Sequence, residues 1–237
     1  MHLLDLTSPT LAENLALDEA LLLDAEAGGL EVLRFWEWAH PAVVLGAGGK
    51  VAEEANLETC GADSVPILRR SSGGGTVLLG RGCLMFSLVL SYEREPRLAD
   101  LHGSYRLILD RMVSALRPCA EGVAWNGISD LVVGDRKFSG NAQQRKRGHV
   151  LHHGTLLYDF DLAAIPKYLA PPPKMPEYRQ ARPHADFVMN FPATAASLRD
   201  AIAAAWNANE PLGTVPTERV EKLIAEKYGD PAWHRRR

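Results

Sequence analysis

The chain has 237 residues, 46% of them hydrophobic and 23% charged, with a formal net charge of −3. That length carries one large domain or two small ones around a real core, and the charge argues against a general nucleic-acid binder, which needs a basic face. Cys60, Cys83 and Cys119 are an odd set without CxxC spacing, so neither a disulfide framework nor a zinc knuckle follows.

Asp5, Glu13, Asp18 and Glu19 interrupt any secretory leader pattern at the start of the chain. No apolar run approaches the ~18 residues that a membrane span requires. A cytoplasmic, reduced protein that contacts neither membrane nor nucleic acid is expected. Thr10-Leu11-Ala12-Glu13 is a capping-box signature, and Leu11, Leu15 and Leu22 fall on one helical face before the stop at Gly28-Gly29. Residues 30–36 read as a strand, broken by His40-Pro41, with 42–45 as its partner. A glycine-rich turn at 46–49 precedes a short acidic helix over about 52–58, and 65–68 is a brief strand.

That strand runs into Arg69-Arg70-Ser71-Ser72-Gly73-Gly74-Gly75-Thr76. Three glycines cost backbone entropy on folding, so they persist where side chains cannot be tolerated. One such place is a loop whose N–H groups lie flat against a phosphate or carboxylate. Adjacent arginines, each able to fork onto an anion's oxygens, favour that cradle over a flexible hairpin with a solvated basic edge.

Residues 76–79 and 84–90 read as strands joined by Gly80-Arg81-Gly82, which has hairpin chemistry. Residues 104–116 form an amphipathic helix ended by Pro118, with Ile108, Met112 and Leu116 one turn apart. Three antiparallel strands follow at 130–133, 136–141 and 150–158, with a basic loop at 143–148 between the last two. Alternation sends Lys137, Ser139 and Asn141 to one face, a polar row. A lysine in such a row either supplies fixed positive charge to a ligand or pairs with Asp130 on a solvated face. Asp130 could also hold a divalent cation.

His152 and His153 point to opposite faces of a strand, a poor arrangement for one metal. One of them either bonds a ligand or is a satisfied, half-buried side chain. Pro171-Pro172-Pro173 opens an irregular segment to about residue 192, of the length found in lids and binding loops. Helices over about 195–207 and 217–228 close the chain, and Arg235-Arg236-Arg237 reads as a frayed terminus. Strands clustered in the middle with helices outside indicate an α+β sheet domain.

Three motifs in order carry a resemblance: Arg69-Arg70-x-Ser72-Gly73-Gly74-Gly75, then Gly134-Asp135-Arg136-Lys137-Phe138-Ser139-Gly140-Asn141-Ala142, then His153-Gly154-Thr155-Leu156-Leu157. With Asn14-x-Ala16-x-Asp18-Glu19-Ala20 and the ending from Tyr228 to Trp233, the chain resembles the lipoate–protein ligase family. That family is related to biotin protein ligases and octanoyl transferases. The resemblance implies a single catalytic domain over 1–237; many ligases carry an additional small C-terminal domain, and the expectation here is that this chain lacks it. Its fold would be a mixed, mostly antiparallel sheet flanked by helices, like the class II synthetase-like catalytic domain of biotin and lipoate ligases.

It also implies roles. Arg69, Arg70, Ser72 to Gly75 and Thr76 would line the phosphate and acyl-adenylate pocket. Lys137 would bridge the acyl carbonyl and the α-phosphate, beside Ser139 and Gly140. Asp130 would sit near Mg2+ or the nucleotide, and His153, Gly154 and Thr155 would form the facing wall. ATP and lipoic or octanoic acid are the implied substrates. The implied partner is an apo lipoyl carrier domain of the E2 or glycine-cleavage H protein type, with a separate accessory subunit as an option. Family members often have His-Asp-x-Gly-Asn where this chain has Leu79-Gly80-Arg81-Gly82-Cys83. Two alternatives remain at this point: an ATP-independent octanoyl or lipoyl transferase working through a cysteine thioester, with Cys83 as the nucleophile, and a non-catalytic acyl-binding partner.

Overall fold

The computed structural model describes residues 1–172 and 175–236. Pro173 of the proline run and Arg237 of the terminal arginine cluster lie outside the described residues. Strand β1 (His2–Asp5) leads into helix α1 (Leu11–Glu26), which starts with a complete capping box. There the Thr10 hydroxyl accepts from the Glu13 N–H at 3.2 Å, and the Glu13 carboxylate accepts from the Thr10 N–H at 2.7 Å. The helix ends at Gly28, whose φ of +97° lies in the left-handed region that glycine enters freely. β2 (Val32–Glu37) follows, then β3 (Ala42–Leu45), the short helices α2 (Val51–Glu54) and α3 (Leu57–Ala62), and β4 (Ile67–Arg69). After the glycines come β5 (Val77–Leu79) and the fully buried β6 (Cys83–Ser91).

Helix α4 (Leu101–Leu116) is capped by Asp100 and precedes β7 (Val123–Asn126), β8 (Asp130–Val133), β9 (Arg136–Arg145) and β10 (His149–Leu157). The chain then runs through α5 (Ala164–Tyr168), a tight turn at Glu177–Arg179 and α6 (His184–Phe187). Helix α7 (Ala195–Ala205), β11 (Glu210–Pro211) and α8 (Thr217–Leu223) follow. A wide turn at Ile224–Tyr228 and helix α9 (Pro231–Arg235) complete the described chain.

Among the described residues the strands make two sheets: a large one in the order β11-β1-β2-β6-β10-β9-β8-β7, and a small one in the order β4-β3-β5. The large sheet is antiparallel from β2 to β7 and parallel at its β1 edge, so the mixed, mostly antiparallel α+β expectation holds. Two expected pairings do not. β3 pairs with β4 and β5 instead of β2, and the Gly80 to Gly82 turn is no hairpin, because it hands the chain from the small sheet to the large one. The expected acidic helix is two short helices, broken at Ala55-Asn56, where Asn56 caps the second.

One face of the large sheet packs on α4 and α7 through Phe86, Leu88, Ile108, Met112, Phe138 and Ile202. Its other face meets the small sheet and α5 through Trp36, Val44, Leu79, Met85 and Ile165. The described part of the 171–192 segment lies against this second core, with Phe187 and Val188 buried in it. The apolar layer there is incomplete, and the space left between the two sheets is a cavity of about 510 Å³.

Candidate functional site

The cavity is walled by the pocket-side residues of β2, β6, β9 and β10, by the small sheet, by α1 and by the 175–188 segment. Arg70, Gly74, Gly75, Thr76, Asp130, Lys137, Gly140, His153, Gly154 and Thr155 all line it. Sequence motifs some eighty residues apart therefore converge.

Lys137 reaches this face through a defect in the ladder. Leu131 pairs with Ser139 but Val132 pairs with Lys137, so Phe138 is an extra residue, a β-bulge. The expected common row of Lys137, Ser139 and Asn141 is thereby corrected. Ser139 turns to the opposite face, where Phe138 packs on Phe191, while Asn141 still touches the cavity and donates to Ser139 Oγ at 3.2 Å. Lys137 shares the cavity face with Gly140, where a Cβ would sit 2.9 Å from its Nζ. The ammonium is 2.7 Å from Asp130 Oδ1, and Asp130 Oδ2 accepts from the Tyr178 hydroxyl at 2.7 Å.

The glycine turn is shaped by Arg70, 7% exposed. Its Nε donates to Ser72 Oγ at 2.9 Å, and its terminal nitrogens donate to the carbonyls of Val44, Gly73 and Gly75 at 3.2, 2.6 and 2.9 Å. Burial pushes its pKa down to about 10, against the opposing field of Glu54. Most donors of the expected anion fork are thus spent on the turn itself. Gly46 permits the approach of this turn, because a Cβ there would lie 2.0 Å from the Gly74 carbonyl oxygen. Thr76 donates to Glu54 at 2.6 Å.

Arg69 is a second correction. It lies outside the cavity wall, donating to the carbonyls of Gly46, Gly49, Trp233 and His234, and it ties α9 to the 46–49 turn. Adjacent strand residues face opposite ways, so only one of the two arginines could face the ligand. Ser72 and Gly73 likewise do not line the cavity. Ser72 lies buried beneath it, and Gly73 lends its carbonyl to Arg70.

Below the turn a polar chain runs inward. Ser72 Oγ is 2.6 Å from His153 Nε2, His153 Nδ1 is 3.7 Å from Asp18 Oδ2, and Asp18 Oδ1 accepts from Arg34 at 2.6 Å. Burial alone would push the Asp18 carboxyl up, but Arg34 and His153 outweigh it and hold the pKa below the usual 3.8. Neighbouring Glu19 accepts from Lys227, Tyr228 and Gln144. No role was assigned to Asp18, Glu19 and Arg34 from residue chemistry. The signal was present: Asp18 and Glu19 sit between Leu15-Ala16-Leu17 and Ala20-Leu21-Leu22 in α1, where buried carboxylates need partners, and Arg34 stands in the middle of the apolar strand Val32–Glu37.

His152, on the opposite face, packs between Phe86 and Tyr105, and burial pushes its pKa from 6.5 down to about 3. The folded state keeps it neutral while the unfolded chain protonates near pH 6.5. Its contribution is therefore complete above that pH and is lost as pH falls toward 3. Between pH 7 and pH 5 this removes roughly 2 kcal/mol. Urea midpoints at the two pH values should diverge in the parent protein and draw together in His152→Phe; equal divergence in both would discard this assignment.

Cys83 is a third correction. It is fully buried on β6, does not line the cavity, and burial drives its thiol pKa far up, so it has no nucleophilic thiolate. Asp130 also carries a metal expectation. Both its oxygens are engaged, and no cluster of three His, Cys, Asp or Glu that could hold a metal ion occurs among the described residues. This donor set does not fit a resident metal centre, and no step below is routed through one. No helix among the described residues is long and apolar enough to cross a membrane.

Comparison with known proteins gives this geometry its context. Residues 10–210 match the family model of the lipoyl protein ligase A/B catalytic domain. A probable lipoate-protein ligase A of Mycoplasma pneumoniae is 34% identical over 157 residues, which cover 66% of this chain and 45% of that protein. The chain thus spans less than half the length of that relative. An octanoyltransferase LipM of Symbiobacterium thermophilum is 28% identical over 95% of this chain and 94% of its own length. The structure of a bi-partite lipoate protein ligase and its E2 lipoyl domain from Thermoplasma acidophilum matches with a TM-score of 0.83 at 22% identity, over 99% of this chain and 95% of that one. Fold, motif order and the matched span agree: the chain belongs to the lipoyl protein ligase A/B catalytic-domain family, whose members carry the names of both lipoate-protein ligases and octanoyltransferases.

Proposed function

We propose that the chain is the catalytic unit of an ATP-dependent lipoate–protein ligase. It would activate lipoate or octanoate as the acyl-adenylate and pass the acyl group to a lysine of a lipoyl carrier domain. One observation carries the choice over a thioester transferase. None of the chain's three cysteines lines the cavity, so the chemistry falls to fixed cations and backbone donors. Among similar folds are a putative lipoate protein ligase of Thermoplasma acidophilum with bound lipoic acid and a lipoate-protein ligase A bound with ATP.

In this reading the acid's carboxylate attacks the α-phosphorus of ATP, forming the mixed anhydride and releasing pyrophosphate. The carrier's amine then attacks the acyl carbonyl, forming the amide and releasing AMP. Lys137 holds the oxygens shared by the acyl and phosphoryl groups, and the Gly74-Gly75 backbone supplies further fixed donors. Trp36, Val44, Val77 and Met85 offer the apolar wall for the acyl tail. A lysine amine must be neutral to attack, and a cationic, desolvated site favours that form.

The likeness to LipM over nearly the full length of both chains favours the transferase as the second reading. Lipoate-dependent exchange of labelled pyrophosphate into ATP separates the two. Exchange that requires the acid supports the ligase, whereas octanoyl transfer between carriers without ATP supports the transferase. Cys83→Ala is expected to retain at least half of the parent's carrier-modifying activity, measured by intact mass of an apo lipoyl domain. Complete loss of labelling in a folded Cys83→Ala protein would bring the thioester back.

A further inference from the structure

Arg179 stands on the turn Glu177–Arg179 and lines the same cavity, yet it is only 4% exposed. Its Nε donates to the Arg182 carbonyl at 2.9 Å, and its guanidinium carbon lies 4.8 Å from the centre of the Phe187 ring. Among the described residues its two terminal nitrogens have no hydrogen-bond partner, and no carboxylate pairs with it. The other cations nearby are matched: Lys137 by Asp130, Arg182 by Asp135, and Arg70 by the carbonyls of its own turn. A desolvated, unmatched guanidinium is costly, and a fold keeps one where a ligand brings the missing negative charge. His184 lines the cavity beside it and lies in the fields of both Arg179 and Lys137, so the three groups converge.

We propose that Arg179, flanked by His184 and Lys137, is the subsite for the pyrophosphate portion of the nucleotide. This rests on the ligase reading and moves the forked phosphate contact from Arg70 to the 175–188 segment. The ligand class follows from the donors. A planar fork of free N–H groups beside a second cation suits a multiply charged phosphate better than a single carboxylate.

The test is calorimetric titration of the intact chain with inorganic pyrophosphate, in the parent, Arg179→Gln, Arg179→Lys and Arg182→Gln proteins. Arg179→Gln should weaken binding roughly 10- to 100-fold, the loss expected for charge-assisted hydrogen bonds. Arg179→Lys should fall between it and the parent, and Arg182→Gln should stay within twofold. Thermal melting supplies the check that a purely structural arginine would fail. Removing an unmatched buried cation should leave the melting temperature unchanged or raise it. Pyrophosphate binding by Arg179→Gln within twofold of the parent overturns the subsite, and so does weaker lipoate binding with pyrophosphate spared. Exchange activity reports separately: Arg179-dependent pyrophosphate binding without lipoate-dependent exchange would retain the subsite and remove the ligase reading.

Discussion

Replacing Lys137 by alanine is expected to cut carrier modification by about a thousandfold while the protein stays folded. Its ammonium is the cation that the bulge brings onto the cavity face beside Gly140, where a mixed anhydride would place its oxygens. The fold depends little on it. The pair with Asp130 is partly solvated, with Lys137 28% and Asp130 11% exposed at the side chain, and Asp130 keeps the Tyr178 hydroxyl when the lysine is gone. Such a pair contributes about 1 kcal/mol or less to stability. Intact mass of an apo lipoyl domain after incubation with ATP and lipoate reads the activity, and circular dichroism reads the fold. Labelling within a few-fold of the parent rate would refute the assignment of Lys137.

Asp18→Ala should produce the largest loss of stability. Arg34 is fully buried, and among the described residues its hydrogen-bond partners besides Asp18 are the backbone carbonyls of Asn14 and Leu6 and the Asn14 side-chain oxygen. Removing the carboxylate leaves a desolvated charge without its counter-ion, at a cost of about 3–5 kcal/mol. For a chain of this size that lowers the melting temperature by roughly 6–20 °C. The double replacement Asp18→Leu with Arg34→Met removes both charges and should recover a large part of the loss. Recovery would be confined to stability, because His153 still loses the carboxylate that faces its Nδ1, and the hold on Ser72 and the glycine turn goes with it. A melting temperature for Asp18→Ala within 2 °C of the parent would mean that the buried pair has been misread.

The readable parts of the fold were those with local causes. The capping box of Thr10 and Glu13 announced α1, and the Gly134-Asp135 turn flanked by β-formers announced the β8–β9 pair. Pairing of β3 was hidden because Ala42, Val43, Val44 and Leu45 are all buried. A strand without alternation says nothing of its neighbour. The site was legible as a set of motifs but not as an orientation. Arg69 and Arg70 look equivalent in sequence, yet one bonds the carbonyls around α9 and the other the glycine turn. For Arg179 the only sign was its place in the segment with the length of a lid or binding loop, since its lack of a counter-ion among the described residues is a property of the folded surroundings.

The extra residue at Phe138 makes the direction of the Lys137 ammonium a matter of counting. Inserting one residue between Leu131 and Val132 would give Phe138 a partner, restore an unbroken ladder and swing the cation away from the cavity, with every native side chain retained. Length in this strand pair is therefore under a stricter constraint than residue type. A single-codon insertion there should be more damaging than most substitutions along the same edge.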